Sequence, residues 1–240
     1  GDDTTPPVSG WMEARGIVDE NTPNGDQIVM GEAANEEASA SDPRGPADAA
    51  QTARLLYRRV AEMFPNSALA PEAAWRAADI HWQIQKADVN SRPSAKEQNP
   101  ALRPQMDEDD LKRVIKHFPH TPQAAKAAFD LLDDKLCGDW QGQEKCPERE
   151  SGLYEKYADE HPDGPRTAQA LYNALYRQCV LVDMFNADQD NKRASEAKKH
   201  AHDILDHLRS KFAQSDYAVR ATALVYKIDQ GIPVYGIDLQ

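Results

Sequence analysis

Four segments of this chain obey one template, and an internal repeat constrains a fold more than any single residue can. Take as anchor the residue two places after the proline of "FP" or its equivalent. The anchors are Ser67, Thr121, Gly164 and Ser215, the last with Ala213 in the proline slot. Three residues after each anchor stand Ala70, Ala124, Thr167 and Ala218; six after stand Ala73, Ala127, Ala170 and Ala221. Eight after come Trp75, Phe129, Tyr172 and Ala223. Ten before each anchor are Tyr57, Leu111, Tyr154 and Leu205; seven before are Val60, Val114, Tyr157 and Leu208; three before are Phe64, Phe118, His161 and Phe212.

The positions before the anchor form one helical stripe. The proline after it ends that helix, because it lacks an amide hydrogen and drives the preceding residue out of helical geometry. Ser, Thr or Gly then suits the turn before a second helix, and Pro71, Pro122 and Pro165 suit a first helical turn. Small residues in the second helix let backbones approach closely, with one bulky residue filling the gap. Each copy therefore predicts a helix, a tight turn and a second helix lying antiparallel to the first. Helices are expected at about 46–64, 69–86, 106–118, 122–136, 147–160, 165–185, 193–212 and 216–229. The fourth turn, lacking its proline, is the least constrained.

The stretches "YRRVAEMFPNSALAPEAAWRAADI" and "YEKYADEHPDGPRTAQALYNALY" resemble tetratricopeptide repeats, chiefly the divergent kind in bacterial outer-membrane-assembly lipoproteins and Tol–Pal-associated periplasmic proteins. The resemblance covers about residues 46–230. It implies an all-α fold, a right-handed α-α superhelix of antiparallel helix pairs. The prolines depart from the usual period of about 34 residues: 54 separate Pro65 from Pro119, and 43 separate Pro119 from Pro162. The surplus falls within repeats, as long loops at 86–105, 137–146 and 186–192, expected along one edge of the stack. Such loops either line a binding face or are neutral decoration.

Residues 1–45 carry no sustained period and read as an extended or weakly ordered segment. Within it, Asn24-Gly25 offers a short hairpin, and "EAANEEASA" a helix partnering the one at 46–64. The opening "GDDTTPPVSG" reads as a trimmed polar tail with no leader in it. The end, residues 231–240, is expected to cap the last helix or to dock on a partner strand.

A formal charge of −12 argues against nucleic acid and anionic membrane surfaces as partners, and no apolar run reaches the length of a membrane span. Cys137 and Cys146 bracket "CGDWQGQEKC", which suits a disulfide-closed loop in an oxidising compartment, the alternative being two reduced thiols. Cys179 sits in an apolar stretch and reads as core. No zinc spacing accompanies the cysteines. His200, His202 and His207 read as a solvated helix face, since zinc helices place ligands at i and i+4. "NADQDNK" lacks the calcium-loop pattern, and "MDEDD" at 106–110 reads as a helix start. His161 takes a packing slot. Trp75 and Trp82 read as core, or as an aromatic surface for a ligand. No nucleophile elbow, P-loop or dinucleotide fingerprint occurs. The expectation is no catalytic residue, no metal and no cofactor.

The leading expectation is a non-enzymatic interaction scaffold whose partner is a protein or peptide of the cell envelope. The resemblance implies that the first helices line the concave side. Carried over position by position, the groove residues are Arg76, Asp79, Asp130, Asp133, Asn173 and Tyr176, each of which also reads as ordinary helix surface. The resemblance and the cysteine pair together imply a periplasmic or secreted setting, with an outer-membrane lipid anchor as a further implication. The alternative is a glycan- or peptidoglycan-handling solenoid using Trp82 or Trp140 beside acids, in which case those indoles should be exposed.

Overall fold

The computed structural model describes residues 16–97 and 99–235. The described residues form helices and turns without a strand: α1 (Gly25–Ala40), α2 (Ala49–Met63), α3 (Ala70–Asn90), α4 (Asp109–His117), α5 (Pro122–Asp130), α6 (Lys145–Glu160), α7 (Thr167–Ala187), α8 (Asn191–Lys211) and α9 (Asp216–Asp229). The chain divides into two compact units, Gly1–Ala70 and Pro71–Gln240.

In the first unit α1 packs along α2. Val29 and Ala33 face Ala49, Ala53 and Tyr57 in a small core, and the Tyr57 hydroxyl donates to Glu37 at 2.6 Å. "EAANEEASA" thus is helical and partners α2, as the sequence suggests. The extended reading does not hold for residues 25–40, where α1 forms. The hairpin at Asn24-Gly25 does not form either: Asn24, in the left-handed region at φ 54°, opens α1 instead. A Cβ on Gly25 would stand 2.8 Å from the tip of the Phe64 ring and 3.0 Å from Val18, so those side chains would have to shift to admit one. Residues 1–15 of the segment read as extended lie outside the described residues.

In the second unit α4 packs on α5, α6 on α7 and α8 on α9, each pair joined by the template's turn, while α7 also packs along α8 and α9. The turns before α3, α5, α7 and α9 are built alike. Phe64, Phe118, His161 and Phe212 end their helices at φ/ψ of −123/56°, −125/52°, −130/59° and −128/34°. In each, the anchor's amide turns back to that residue's carbonyl, at 2.9, 3.4, 3.0 and 2.9 Å. Thr121 and Ser215 accept the Ala124 and Ala218 amides at 3.1 and 3.2 Å. The fourth turn keeps its form without proline because Ser215 caps α9.

Every template position ten or seven before an anchor, and three or six after it, is buried. Ala73, Ala127, Ala170 and Ala221 are wholly so. A larger side chain there would force backbones apart, at a typical cost of about 1–3 kcal/mol. Of the bulky slots, Trp75, Phe129 and Tyr172 meet neighbouring elements, whereas Ala223 is exposed on α9, the last helix among the described residues.

Two of the three expected loops are long. Residues 91–108 carry two short 3-10 turns, Pro93–Lys96 and Pro100–Leu102, and residues 131–144 lead through Asp133–Lys135 to a loop closed by the Cys137–Cys146 disulfide. These loops touch: the Gly138 amide donates to the Glu97 carbonyl at 3.1 Å. A Cβ on Gly138 would lie 2.0 Å from the Ala95 carbonyl oxygen. The third loop shrinks to residues 188–190, since α7 and α8 run further than the periodicity indicates. Asp190 makes the tight reversal by accepting the Arg193 amide at 3.1 Å.

The start of the expected tail closes α9: Gly231, at φ 68°, and Ile232 give their amides to the Ile228 and Lys227 carbonyls at 3.3 and 2.9 Å, and the chain then turns to α7. Val234 and Tyr235 give their amides to Asp183 of α7, at 2.6 and 3.0 Å. The Tyr235 hydroxyl accepts the Gly142 amide at 3.2 Å. Residues 236–240 of that expected tail lie outside the described residues. No described helix is long and apolar enough to cross a membrane.

Candidate functional site

Within the second unit, side-chain contacts link the helix that follows each template turn to the next such helix, making one row from α3 through α5 and α7 to α9. Glu72 of α3 is met from α5 by Gln123 at 2.9 Å and Lys126 at 3.5 Å. Lys126 also sits 3.9 Å above the Trp75 ring. Arg166, just before α7, lies 5.9 Å over Phe129. Tyr172 of α7 meets Tyr217 of α9, with ring centroids 5.7 Å apart. Four elements thus share an edge of polar and aromatic groups.

Of the six sequence-derived candidates, Arg76 and Asp79 lie on α3, Asp130 ends α5, Asp133 opens the short 3-10 turn after it, and Asn173 and Tyr176 lie on α7. Arg76 is half-buried and gives Nε to Glu72 at 3.0 Å. Asp79 accepts from Gln83 at 3.0 Å. Asp130 and Asp133 work inward as well. Trp75 and Trp82, seven residues apart on one face of α3, donate Nε1 to Asp130 at 3.2 Å and to Asp133 at 3.3 Å. Asp133 also takes Lys86 at 2.7 Å. Asn173 and Tyr176 are half-buried on α7.

Asp130 is the unusual acid of this row. It is buried, and among the described residues no cation forms an ion pair with it. Burial raises its pKa, the nearby Asp79 charge adds to that, and the Trp75 hydrogen bond and more distant Arg166 only partly offset it, leaving it at about 6. Tyr157, beneath it, is raised by burial first and by Asp130 second. Its hydroxyl donates to the Ala125 carbonyl at 2.9 Å.

A second buried acid escapes sequence reasoning. Glu150 of α6 is 1 % exposed and gathers four donor contacts from three groups. The Cys137 amide reaches it at 2.7 Å, Trp140 Nε1 at 3.2 and 3.3 Å, and Arg177 Nε at 2.8 Å. Arg177 in turn lies 4.6 Å from the Tyr154 ring and 5.5 Å from Trp140. Glu150 so ties the disulfide loop to α7 and holds Trp140 between Tyr176 and Tyr235, at 6.1 and 5.8 Å. Spacing alone gives no sign of this, because Cys137, Glu150 and Arg177 come from three elements. The one available signal is the cysteine pair.

Trp75 and Trp82 are buried. Cys179 is too, and burial pushes its thiol up to about 12, far from a reactive thiolate. On α8, His200 meets Glu155 at 2.8 Å and His202 meets Asp229 at 3.0 Å. Among the described residues no group of three or more His, Cys, Asp or Glu side chains is arranged to hold a metal ion. What the row offers is hydrogen bonding and stacking along an edge that spans several helices.

Compared with known protein families, the chain matches none, and it matches none of the curated proteins either.

Proposed function

We propose that the chain is a non-enzymatic protein–protein interaction scaffold of the bacterial cell envelope, binding a peptide or partner protein along the α3–α5–α7 row. The observation that carries this reading is the recurrence of one turn. The same geometry precedes α3, α5, α7 and α9, and the helices that follow these turns join edge to edge. A tetratricopeptide-like right-handed superhelix would present that edge as its concave side, and extended partners bind such surfaces by shape and polar contacts. The disulfide-closed loop supports an oxidising setting such as the periplasm.

A photo-crosslinking residue placed at Asn173 or Tyr176, and at the exposed Lys199 of α8 as control, tests the reading in envelope extract. The same partner should be captured from both α7 positions and not from Lys199. Equal capture from all three, or none from either α7 position, would reject it.

Trp140, flanked by Tyr176 and Tyr235 and half-buried, supports a second reading, a glycan-handling solenoid. Trp82 lends nothing to it, being buried against α5. Peptidoglycan fragments that leave Trp140 fluorescence unchanged would remove this option.

A further inference from the structure

The helix after each template turn carries one more shared stripe, at four, eight and eleven residues past the anchor, a spacing that keeps all three places on one face. In the first three copies that face is covered. Eleven past the anchor, Ala78, Leu132 and Leu175 are buried. Eight past it, Trp75 is buried and Phe129 and Tyr172 are half-buried, each against a following element. Four past it, Ala125 is buried and Pro71 and Ala168 are half-buried. In the fourth copy all three places are exposed: Val219 at 68 %, Tyr226 at 61 %, and Ala223 between them. We propose that this face of α9 is a homodimer interface, on which α9 of a second copy lies antiparallel.

The helix that ends a solenoid ordinarily turns a polar face outward. Here the outward face keeps the apolar stripe that its counterparts use for stacking. The described chain beyond α9 does not cover it, because Gly231 and Ile232 close the helix end and Val234 and Tyr235 bind Asp183 of α7.

Charge selects the second copy as occupant. At a formal charge of −12, two copies repel each other over most of their surface. Beside the stripe, however, stand Asp216, Arg220 and Lys227, one acid against two bases, all exposed and none in an ion pair among the described residues. Asp229, the other acid at this end, is already taken by Lys198 at 2.9 Å and His202 at 3.0 Å. The acid lies at the start of α9 and a base near its end, an order that a two-fold axis makes self-complementary. With Ala223 on that axis, the smallest side chain of the stripe falls where the helices cross and lets them approach closely. Tyr226 of each copy then lies across Val219 of the other, and Asp216 comes within one turn of the other copy's Lys227. A two-fold pairing of this kind closes on itself and leaves no apolar face to recruit a third copy.

The test is sedimentation velocity of the full, oxidised chain from low to several hundred micromolar. One helix from each side makes a small interface, so a monomer–dimer equilibrium centred at roughly 10–100 μM is expected. A monomer throughout, or species that keep growing past the dimer, overturns the proposal. Val219→Glu with Tyr226→Glu, both at exposed positions, should weaken association at least tenfold with an unchanged circular dichroism spectrum; unchanged association overturns it. Lys227→Glu should weaken it severalfold, and adding Asp216→Lys should restore it; no restoration rejects the antiparallel order. Ala223→Cys reads the axis directly, since Cys179 is buried and Cys137 and Cys146 are bonded to each other. Under mild oxidation it should cross-link two copies at least tenfold faster than Lys199→Cys on α8, and equal rates overturn the proposal. Failure here leaves the α3–α5–α7 reading untouched, because Val219, Ala223 and Tyr226 take no part in it.

Discussion

Asp130 and Glu150 are both buried carboxylates of the second unit, yet they solve burial differently. Glu150 is surrounded by an arginine, a backbone amide and an indole, which together compensate a full negative charge taken out of water. Asp130 has one indole and, near it, another acid. The first is a structural knot whose charge is matched on every side. The second is a group whose charge the fold tolerates poorly, in the row proposed to bind a partner. A single fold thus contains a clamp and a titratable spot, and donor count decides which is which.

Removing Glu150 should show the largest effect. Glu150→Ala leaves Arg177 buried without its partner and should cost about 3–5 kcal/mol, read from urea unfolding at neutral pH. Asp130→Asn keeps an acceptor for Trp75 and should cost less than about 1 kcal/mol in the same assay. Equal losses would collapse the distinction.

Next comes pH. The Asp130 pKa is raised in the folded chain to about 6 from 3.8, so between these values the folded state holds a proton the unfolded state has lost. Its contribution to stability is therefore greatest below pH 4, falls as pH rises to about 6, and is then flat, by roughly 3 kcal/mol at most. Acids held low by partners, such as Glu72 and Asp229, act in the opposite direction. The measurement is thus the difference curve between the native chain and Asp130→Asn. A flat difference from pH 4 to 7 would show Asp130 to be an ordinary acid.

The disulfide ranks third. Replacing Cys137 and Cys146 with serine opens a short loop and should cost about 2–3 kcal/mol, with a change in Trp140 emission because Glu150 then holds that loop alone. An unchanged spectrum would mean that Glu150 suffices. Smallest is Trp75→Phe. Losing the sole indole donor should move the Asp130 midpoint further up, by under about one pH unit or roughly 1 kcal/mol, seen by carboxyl-carbon NMR. A downward move would contradict the account.

Much of the framework was legible from residue spacing. The stripe before each anchor and the alanines after it are buried where periodicity requires, because core contact leaves each slot only one workable size. The ends of α7 and α8 were less legible: helix extension through 186–187 and 191–192 depends on the Asp190 cap more than on apolar pattern. On the candidate row, spacing pointed to positions on α3, α5 and α7 and just beyond α5, but not to the direction in which two of them turn. Asp130 and Asp133 turn inward to two indoles, a pairing set by how α3 meets α5. Glu150 was invisible for the same reason, since three elements must converge before its partners exist.

The contact between the first two long loops has an evolutionary corollary. Where the Gly138 Cα lies against the Ala95 carbonyl there is no room for even a methyl group, and the neighbouring amide is bonded to Glu97. Insertions or deletions in 91–105 should therefore be accompanied by compensating changes at 137–146, so that among relatives these two segments vary together in length, as a single inherited block.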